Sequence, residues 1–230
     1  MQRTRIKICG LTREEDVQAA VAAGADAVGF VFYPKSPRHV TPQRAAELIA
    51  LLPPFVTAVG LFVNASAEEV AATVAVAPIG LLQFHGDETA QQCAAAAAAV
   101  NRPFMRVFRV KPGSSSAELL EYEQQCRASS KLFNGLLFDT FVDAYGGAGK
   151  VFDWSLIPKD LARRAVLSGG LNAQNATGAV VRVRPCAVDV SSGVEAAKGI
   201  KDSRLIDGFV RAVREADATI ERETYHERSA

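Results

Sequence analysis

Short runs of β-branched and aromatic residues alternate along this chain with longer Ala-, Glu- and Arg-rich stretches of helical period, and the alternation recurs eight times. It predicts strands near 5–9 (RIKIC), 26–32 (DAVGFVF), 57–63 (TAVGLFV), 79–84 (IGLLQF), 104–109 (FMRVFR), 135–139 (GLLFD), 165–168 (AVLS) and 187–190 (AVDV). Helices are predicted near 13–23, 42–52, 66–76, 87–100, 115–128, 154–162, 172–182 and 201–217. Most carry start signals. Thr12 with Glu15, and Ser66 with Glu69, have capping-box spacing. Thr41-Pro42 puts proline at the first helical position, and Asn172 stands at the cap position of the seventh helix. The six alanines from Ala94 to Ala99 fall inside a helical pattern and are read as helix.

Eight strand-helix units in 230 residues leave two architectures, a closed barrel or an open doubly wound sheet. Polar residues recurring at strand ends favour the barrel, because closure gathers the strand C-termini into one mouth. The expected fold is therefore α/β, a single (β/α)8 barrel over residues 1–217. A charged tail over 218–230 is expected to extend the last helix or to fray.

Composition narrows the function classes. The chain is 49% apolar and 22% charged with a net charge of +1, so it lacks the bulk basic field of a nucleic-acid or membrane-surface binder. An anionic small molecule is still allowed. Cys9, Cys93, Cys126 and Cys186 are spread singly, with no C-x-x-C pair or histidine at ligand spacing, so neither a zinc site nor a redox motif is expected. The N-terminus has no signal-peptide pattern and no apolar stretch reaches membrane-spanning length, so a cytoplasmic location is expected.

Alternation in the first strand puts Arg5, Lys7 and Cys9 on one face and Ile6 and Ile8 on the other. With the isoleucines turned to the helices, Lys7 and Cys9 face the barrel interior. Cys9 then lies at the C-terminal rim, where the nearby ammonium should favour its thiolate. The sixth strand ends its apolar run in Asp139 at the same rim, either as a loop ligand or as the carboxyl partner of Cys9 in acid-base chemistry. Gln83 and His85 share the face of the fourth strand that points inward. Asp189, on the inward face of the eighth, is expected to pair with a cation such as Lys7. Glycine clusters follow strands seven and eight: Ser168-Gly169-Gly170 and Ser191-Ser192-Gly193. Their unobstructed amides can surround a phosphate, and barrels commonly place phosphate sites at these two loops. Arg38, in the proline-punctuated loop after strand two, could hold a carboxylate through a bidentate fork. The segment Tyr145 to Lys150 is glycine-rich, but Ala144 and Val151 break the nucleotide-loop pattern, and a flexible rim loop is expected there.

The phrases KICGLT, GADAVGFVFYPKSPRHVTP, VGLFVN, LLQFHGDE, DTFVDAYGGAGKVFDW, LSGGLN and AVDVSSGVE run in order from Lys7 to Glu195. Together they resemble the phosphoribosylanthranilate isomerases of tryptophan biosynthesis. The resemblance implies one (β/α)8 barrel without metal or organic cofactor, acting on a small phosphosugar, with monomer and homodimer both open. It implies Cys9 as general base and Asp139, kept protonated by burial, as general acid. It also implies Arg38 as holder of the anthranilate carboxylate, and the SGG and SSG turns as phosphate loops. The family's QLHG reads Gln83-Phe84-His85-Gly86 here, an outward Leu-to-Phe change expected to leave the site untouched. The related isomerase of histidine biosynthesis is less well matched, because loops three and four lack a Gly-Gly phosphate turn and strand one ends in Cys. A Schiff-base lyase using Lys7 and a non-catalytic phosphosugar binder are the other readings.

Overall fold

The computed structural model describes residues 3–140 and 151–229; the predicted rim loop at 145–150 lies outside the described residues. Eight parallel strands close on themselves in sequence order, β1 (Arg5–Cys9), β2 (Ala27–Val31), β3 (Thr57–Phe62), β4 (Leu81–Phe84), β5 (Phe104–Val110), β6 (Phe133–Thr140), β7 (Val166–Leu167) and β8 (Ala187–Val190). The β1–β8 seam completes the ring, with Lys7 registered against Asp189. Helices α1 (Glu14–Ala23), α2 (Pro42–Ile49), α3 (Ala67–Val76), α4 (Ala90–Val100), α5 (Ser116–Ser129), α6 (Lys159–Ala162), α7 (Ala176–Val183) and α8 (Ser203–Ser229) follow the strands. This is the (β/α)8 barrel that the alternation predicts.

Strand alternation sorts the core into layers. Ile6 and Ile8 join the large shell between strands and helices, whereas Val59, Met105, Val107 and Leu137 meet inside the ring. Above them Cys9, Val31, Leu61 and Val63 form a second interior group. Residues from strands on opposite sides of the ring touch because they share the inward face. Phe84 faces outward, in a run of ring contacts from Phe62 through Phe84 and Phe104 to Phe133.

Local start signals were legible where no tertiary partner competed. Ser66 and Glu69 form the expected capping box, Thr41 accepts from the Arg44 amide, and Thr89 with Gln92 makes a further box at α4. Thr12 does not cap α1. Its hydroxyl donates to the Gly199 carbonyl at 2.9 Å, and the acidic first turn Glu14, Glu15 and Asp16 faces the orphan amides instead. Asn172 also fails as a helix cap: its Oδ1 accepts from the Gln174 and Asn175 amides, closing a turn before α7 begins at Ala176. The predicted sixth helix is divided into a 3-10 turn at Trp154–Leu156 and the single turn of α6, because Pro158 between them supplies no N–H.

The last helix differs most. Residues 195–201, assigned to no element beforehand except Lys201 at the predicted helix start, form an antiparallel hairpin of β9 (Glu195–Ala197) and β10 (Ile200–Lys201), turning at Gly199 with φ +80°. Helix α8 then continues to Ser229, so the charged tail extends the last helix, one of the two outcomes expected for it. Ile206, Phe209, Val213, Ala216 and Ile220 keep one face buried, and Asp217 and Arg214 hold the Thr4 backbone beside β1. Among the described residues, no helix is long and apolar enough to cross a membrane.

Candidate active site

Parallel closure brings the C-terminal ends of all eight strands to one rim. Cys9 ends β1 there, and Asp139 stands one residue before the end of β6. Cys9, Lys7, Arg38, Gln83, His85, Asp139 and Asp189 are each less than a tenth exposed. Ionisable and polar side chains are thus gathered in a largely dehydrated mouth.

On the β1 side, Lys7 Nζ donates to Asp189 Oδ1 at 2.7 Å, the pairing expected for Asp189. Gly29 of β2 makes room for this group. A Cβ there would lie 2.8 Å from Cys9 Sγ and 3.0 Å from Lys7 Nζ, so no larger residue fits without displacing thiol or ammonium. Burial works against the charge on Lys7, but the attraction of Asp189 and Cys9 outweighs it and holds the amine firmly protonated. The balance at Cys9 is the reverse. Burial pushes the thiol above its ordinary value, and the opposing pull of Lys7 does not overcome it. The neighbouring ammonium does favour the thiolate, as expected, but the thiol has lost more hydration than the lysine returns.

On the β4 and β6 side the contacts are those of a relay. Gln83 Nε2 lies 3.2 Å from His85 Nδ1, and His85 Nε2 lies 3.1 Å from Asp139 Oδ2. With the glutamine amide donating to Nδ1, the imidazole proton sits on Nε2 and points to Asp139, an assignment made from the network. The Thr140 amide donates to Asp139 Oδ1 at 2.8 Å. Arg106, fully covered beneath this loop, donates to the carbonyls of Phe84, Gly86 and Glu88 and so fixes the backbone that carries His85. Glu88 in turn accepts from the amides of Asn64 and Gly86, tying loops three and four together.

The two glycine turns sit side by side. Gly169 and Gly170 take φ of +86° and +69°, and the Asn175 amide group donates to the Gly170 carbonyl. Ser192 to Val194 forms a 3-10 turn, and a Cβ on Gly193 would fall 1.9 Å from the Leu171 carbonyl oxygen. The seventh and eighth loops therefore touch. Ser191 Oγ donates to the Cys9 carbonyl at 3.0 Å, linking the eighth loop to the end of β1.

Arg38 is placed at the mouth, but its fork is occupied. Nε and Nη2 donate to the two carboxylate oxygens of Glu195 at 2.7 and 2.8 Å. The bidentate fork expected of Arg38 is thus formed here with an internal carboxylate, which the hairpin carries to it. Lys201 Nζ, fully buried, donates to the same Glu195 at 2.9 Å and to the Ser191 carbonyl at 3.1 Å. Sequence reasoning missed Glu195 and Lys201 as site residues. The Lys198-Gly199 pair was the available signal, a turn that folds the segment back onto the mouth. Among the described residues no cluster of His, Cys, Asp or Glu could hold a metal ion.

Comparison with known proteins points to one family. The family model described as N-(5'phosphoribosyl)anthranilate (PRA) isomerase matches residues 6–212. The N-(5'-phosphoribosyl)anthranilate isomerase of Herminiimonas arsenicoxydans is 68% identical over 221 residues, covering 96% of this chain and 97% of that protein. That of Dechloromonas aromatica is 59% identical over 218 residues, covering 95% and 100%. The crystal structure of phosphoribosyl anthranilate isomerase from Thermotoga maritima superposes with a TM-score of 0.80 at 41% identity, covering 92% of this chain and 99% of that one. With the fold and the matched length in agreement, the chain belongs to the N-(5'-phosphoribosyl)anthranilate isomerase family, the isomerases of tryptophan biosynthesis.

Proposed function

We propose that this protein converts N-(5'-phosphoribosyl)anthranilate to 1-(2-carboxyphenylamino)-1-deoxyribulose 5-phosphate, with Asp139 as general acid and Cys9 as general base. The observation that carries this reading is the placement of both groups on one dehydrated rim, each held by its own set of partners. Asp139 donates a proton to the furanose ring oxygen, the bond from C1 to that oxygen breaks, and the nitrogen lone pair forms a C1 iminium. The His85 N–H and the Thr140 amide then face the carboxylate left behind. The iminium acidifies the C2 proton. Cys9 removes it as thiolate, and the C2–H electrons flow into the iminium to give an enolamine that tautomerises to the 2-ketose. C1 is reduced and C2 oxidised by the same electron pair, so the change balances within the molecule and no external electron carrier enters.

The two ends of the substrate find matching groups. The turns at Gly169-Gly170 and Ser191-Ser192-Gly193 receive the phosphate, and Arg38 receives the anthranilate carboxylate. Gln83 orients His85, and Asp189 orients Lys7 beside the thiol. The Schiff-base lyase reading loses support, since Lys7 is held protonated by Asp189 and a nucleophilic amine must be neutral. A Streptococcus mutans barrel, KGPDC, superposes with a TM-score of 0.66 at 12% identity, a likeness of fold alone.

The test is a fluorescence assay in which phosphoribosylanthranilate is generated in place from anthranilate and phosphoribosyl pyrophosphate by a separate transferase. Added protein is expected to accelerate substrate decay to the ribulose product, and Cys9→Ala to abolish the acceleration. A folded wild-type protein that leaves the decay rate unchanged would overturn the proposed function.

A further inference from the structure

The β9–β10 hairpin brings a carboxylate into the mouth that the isomerisation does not itself require. Glu195 is 6% exposed at its side chain and accepts both Arg38 Nε and Arg38 Nη2, together with Lys201 Nζ and the Gly199 amide. Burial alone would raise its pKa, but the two cations hold the carboxyl below its ordinary value. Lys201 is anchored at its far side, since its backbone amide donates to Asp16, whose carboxylate is held by Arg13. The hairpin is locked against loop two as well: a Cβ on Gly199 would lie 2.7 Å from the Pro37 carbonyl oxygen. Glu195 therefore sits on a rigid support and cannot swing away with Arg38.

Two consequences follow from this arrangement. Two cations share one carboxylate, so with Lys201 protonated the buried trio keeps one unmatched positive charge, and although burial pulls the Lys201 pKa below its ordinary value, Glu195 and an arriving anion both favour the charged form. Of the three guanidinium nitrogens, Nε and Nη2 face Glu195, whereas Nη1 donates to no side chain or backbone group among the described residues. Nor is Nη1 a buried orphan of the kind seen at Arg106 Nε. We propose that Glu195 is the positioning residue of the carboxylate subsite: by taking the Nε/Nη2 edge of Arg38 it aims the Nη1 edge at the substrate carboxylate, while Lys201 maintains the positive excess. The proposal rests on the isomerase reading and deepens it, because it names what sets recognition of the aromatic carboxylate apart from recognition of the phosphosugar.

The experiment measures Glu195→Gln in the assay above, with two inhibitors: the reduced product analogue, which carries the carboxylate, and ribulose 5-phosphate, which lacks it. Glu195→Gln is expected to raise KM about tenfold while lowering kcat no more than about threefold. It should weaken inhibition by the product analogue by a similar factor and leave inhibition by ribulose 5-phosphate within about twofold. In an Arg38→Ala background the same substitution should have no further effect on KM. Unchanged KM and unchanged product-analogue inhibition, or equal weakening of both inhibitors, would overturn the proposal. If Glu195→Gln does not fold, Glu195→Asp, which keeps the charge and shortens its reach, is read by the same criteria. Wild-type turnover measured alongside separates the two ideas: an inactive wild type defeats the isomerase reading, whereas an active wild type with an indifferent Glu195 defeats only the role of Glu195.

Discussion

The two sides of the barrel mouth hold the proposed base and the proposed acid by different physics. Around Cys9 the partners are charges: Lys7 with Asp189, both about 5% exposed, and the trio of Arg38, Glu195 and Lys201. Around Asp139 they are mainly oriented dipoles, the amide of Gln83, the imidazole of His85 and the backbone of Thr140, with Arg106 gripping the loop from below. A buried thiol resists ionisation, so its side of the site needs cations to offset lost hydration. A carboxyl group that must deliver a proton in one direction needs aim more than charge, and neutral hydrogen bonds supply it. Disturbing the first side should therefore be felt in pH dependence and stability, and disturbing the second chiefly in rate.

The largest effects should come from the reacting groups and be similar on the two sides. Cys9→Ala and Asp139→Asn are each expected to lower kcat on the order of 10³-fold with product-analogue binding largely retained. Either variant turning over within a few-fold of wild type at saturating substrate would remove that residue from its role.

Next comes the charged side's dependence on pairing. Lys7→Met strands the Asp189 carboxylate in the dry interior and should cost about 3–5 kcal/mol of stability, read from denaturant midpoints. Adding Asp189→Leu should recover much of the loss. A single substitution without effect on the midpoint would mean that the pair is dispensable to the fold.

A smaller effect, but one that separates the sides cleanly, lies in the pH profile. Burial raises the Cys9 pKa, and in the proposed mechanism Cys9 acts only as thiolate. Lowering the pH below a raised pKa depletes the active form, so kcat/KM should climb with pH along a limb placed above the ordinary thiol range. Removing positive charge with Lys201→Met should move that limb further up, because the Lys201 charge lowers the Cys9 pKa. A limb at or below the ordinary thiol value would show that the cations outweigh burial.

The smallest effect tests the boundary of the site. Phe84 lies between Gln83 and His85 in sequence but on the opposite face, in contact with Phe62 and Phe104. Phe84→Leu should change stability by about 1.5 kcal/mol or less and leave kcat and KM unchanged, as thermal melts and steady-state rates would register. Altered kinetics would mean that the outer shell sets the register of the relay.

How much of this was legible beforehand follows from the range over which each interaction acts. Strand alternation is local, and it correctly put Lys7, Cys9, Gln83, His85 and Asp189 on the inward face and Phe84 on the outward one. Capping at Ser66 and Thr41 is equally local and was readable for the same reason. Thr12 was misjudged, and the internal partner of Arg38 went unread, because each found its partner far along the chain, Gly199 and Glu195, where no short window reaches. The net direction of the Cys9 shift was out of reach for the same reason, since burial is a property of the closed ring and not of the peptide KICG.

The amino-acid sequence by itself thus determined the eightfold alternation, the barrel and the residue types delivered to its mouth, because periodicity and strand-end chemistry act within a few residues. Only the tertiary structure decided which charges pair, that a hairpin interrupts the start of the last helix, and which edge of Arg38 is left for a ligand. Those outcomes depend on desolvation and on contacts across 157 to 187 residues of chain, and they arise only when closure brings the segments together.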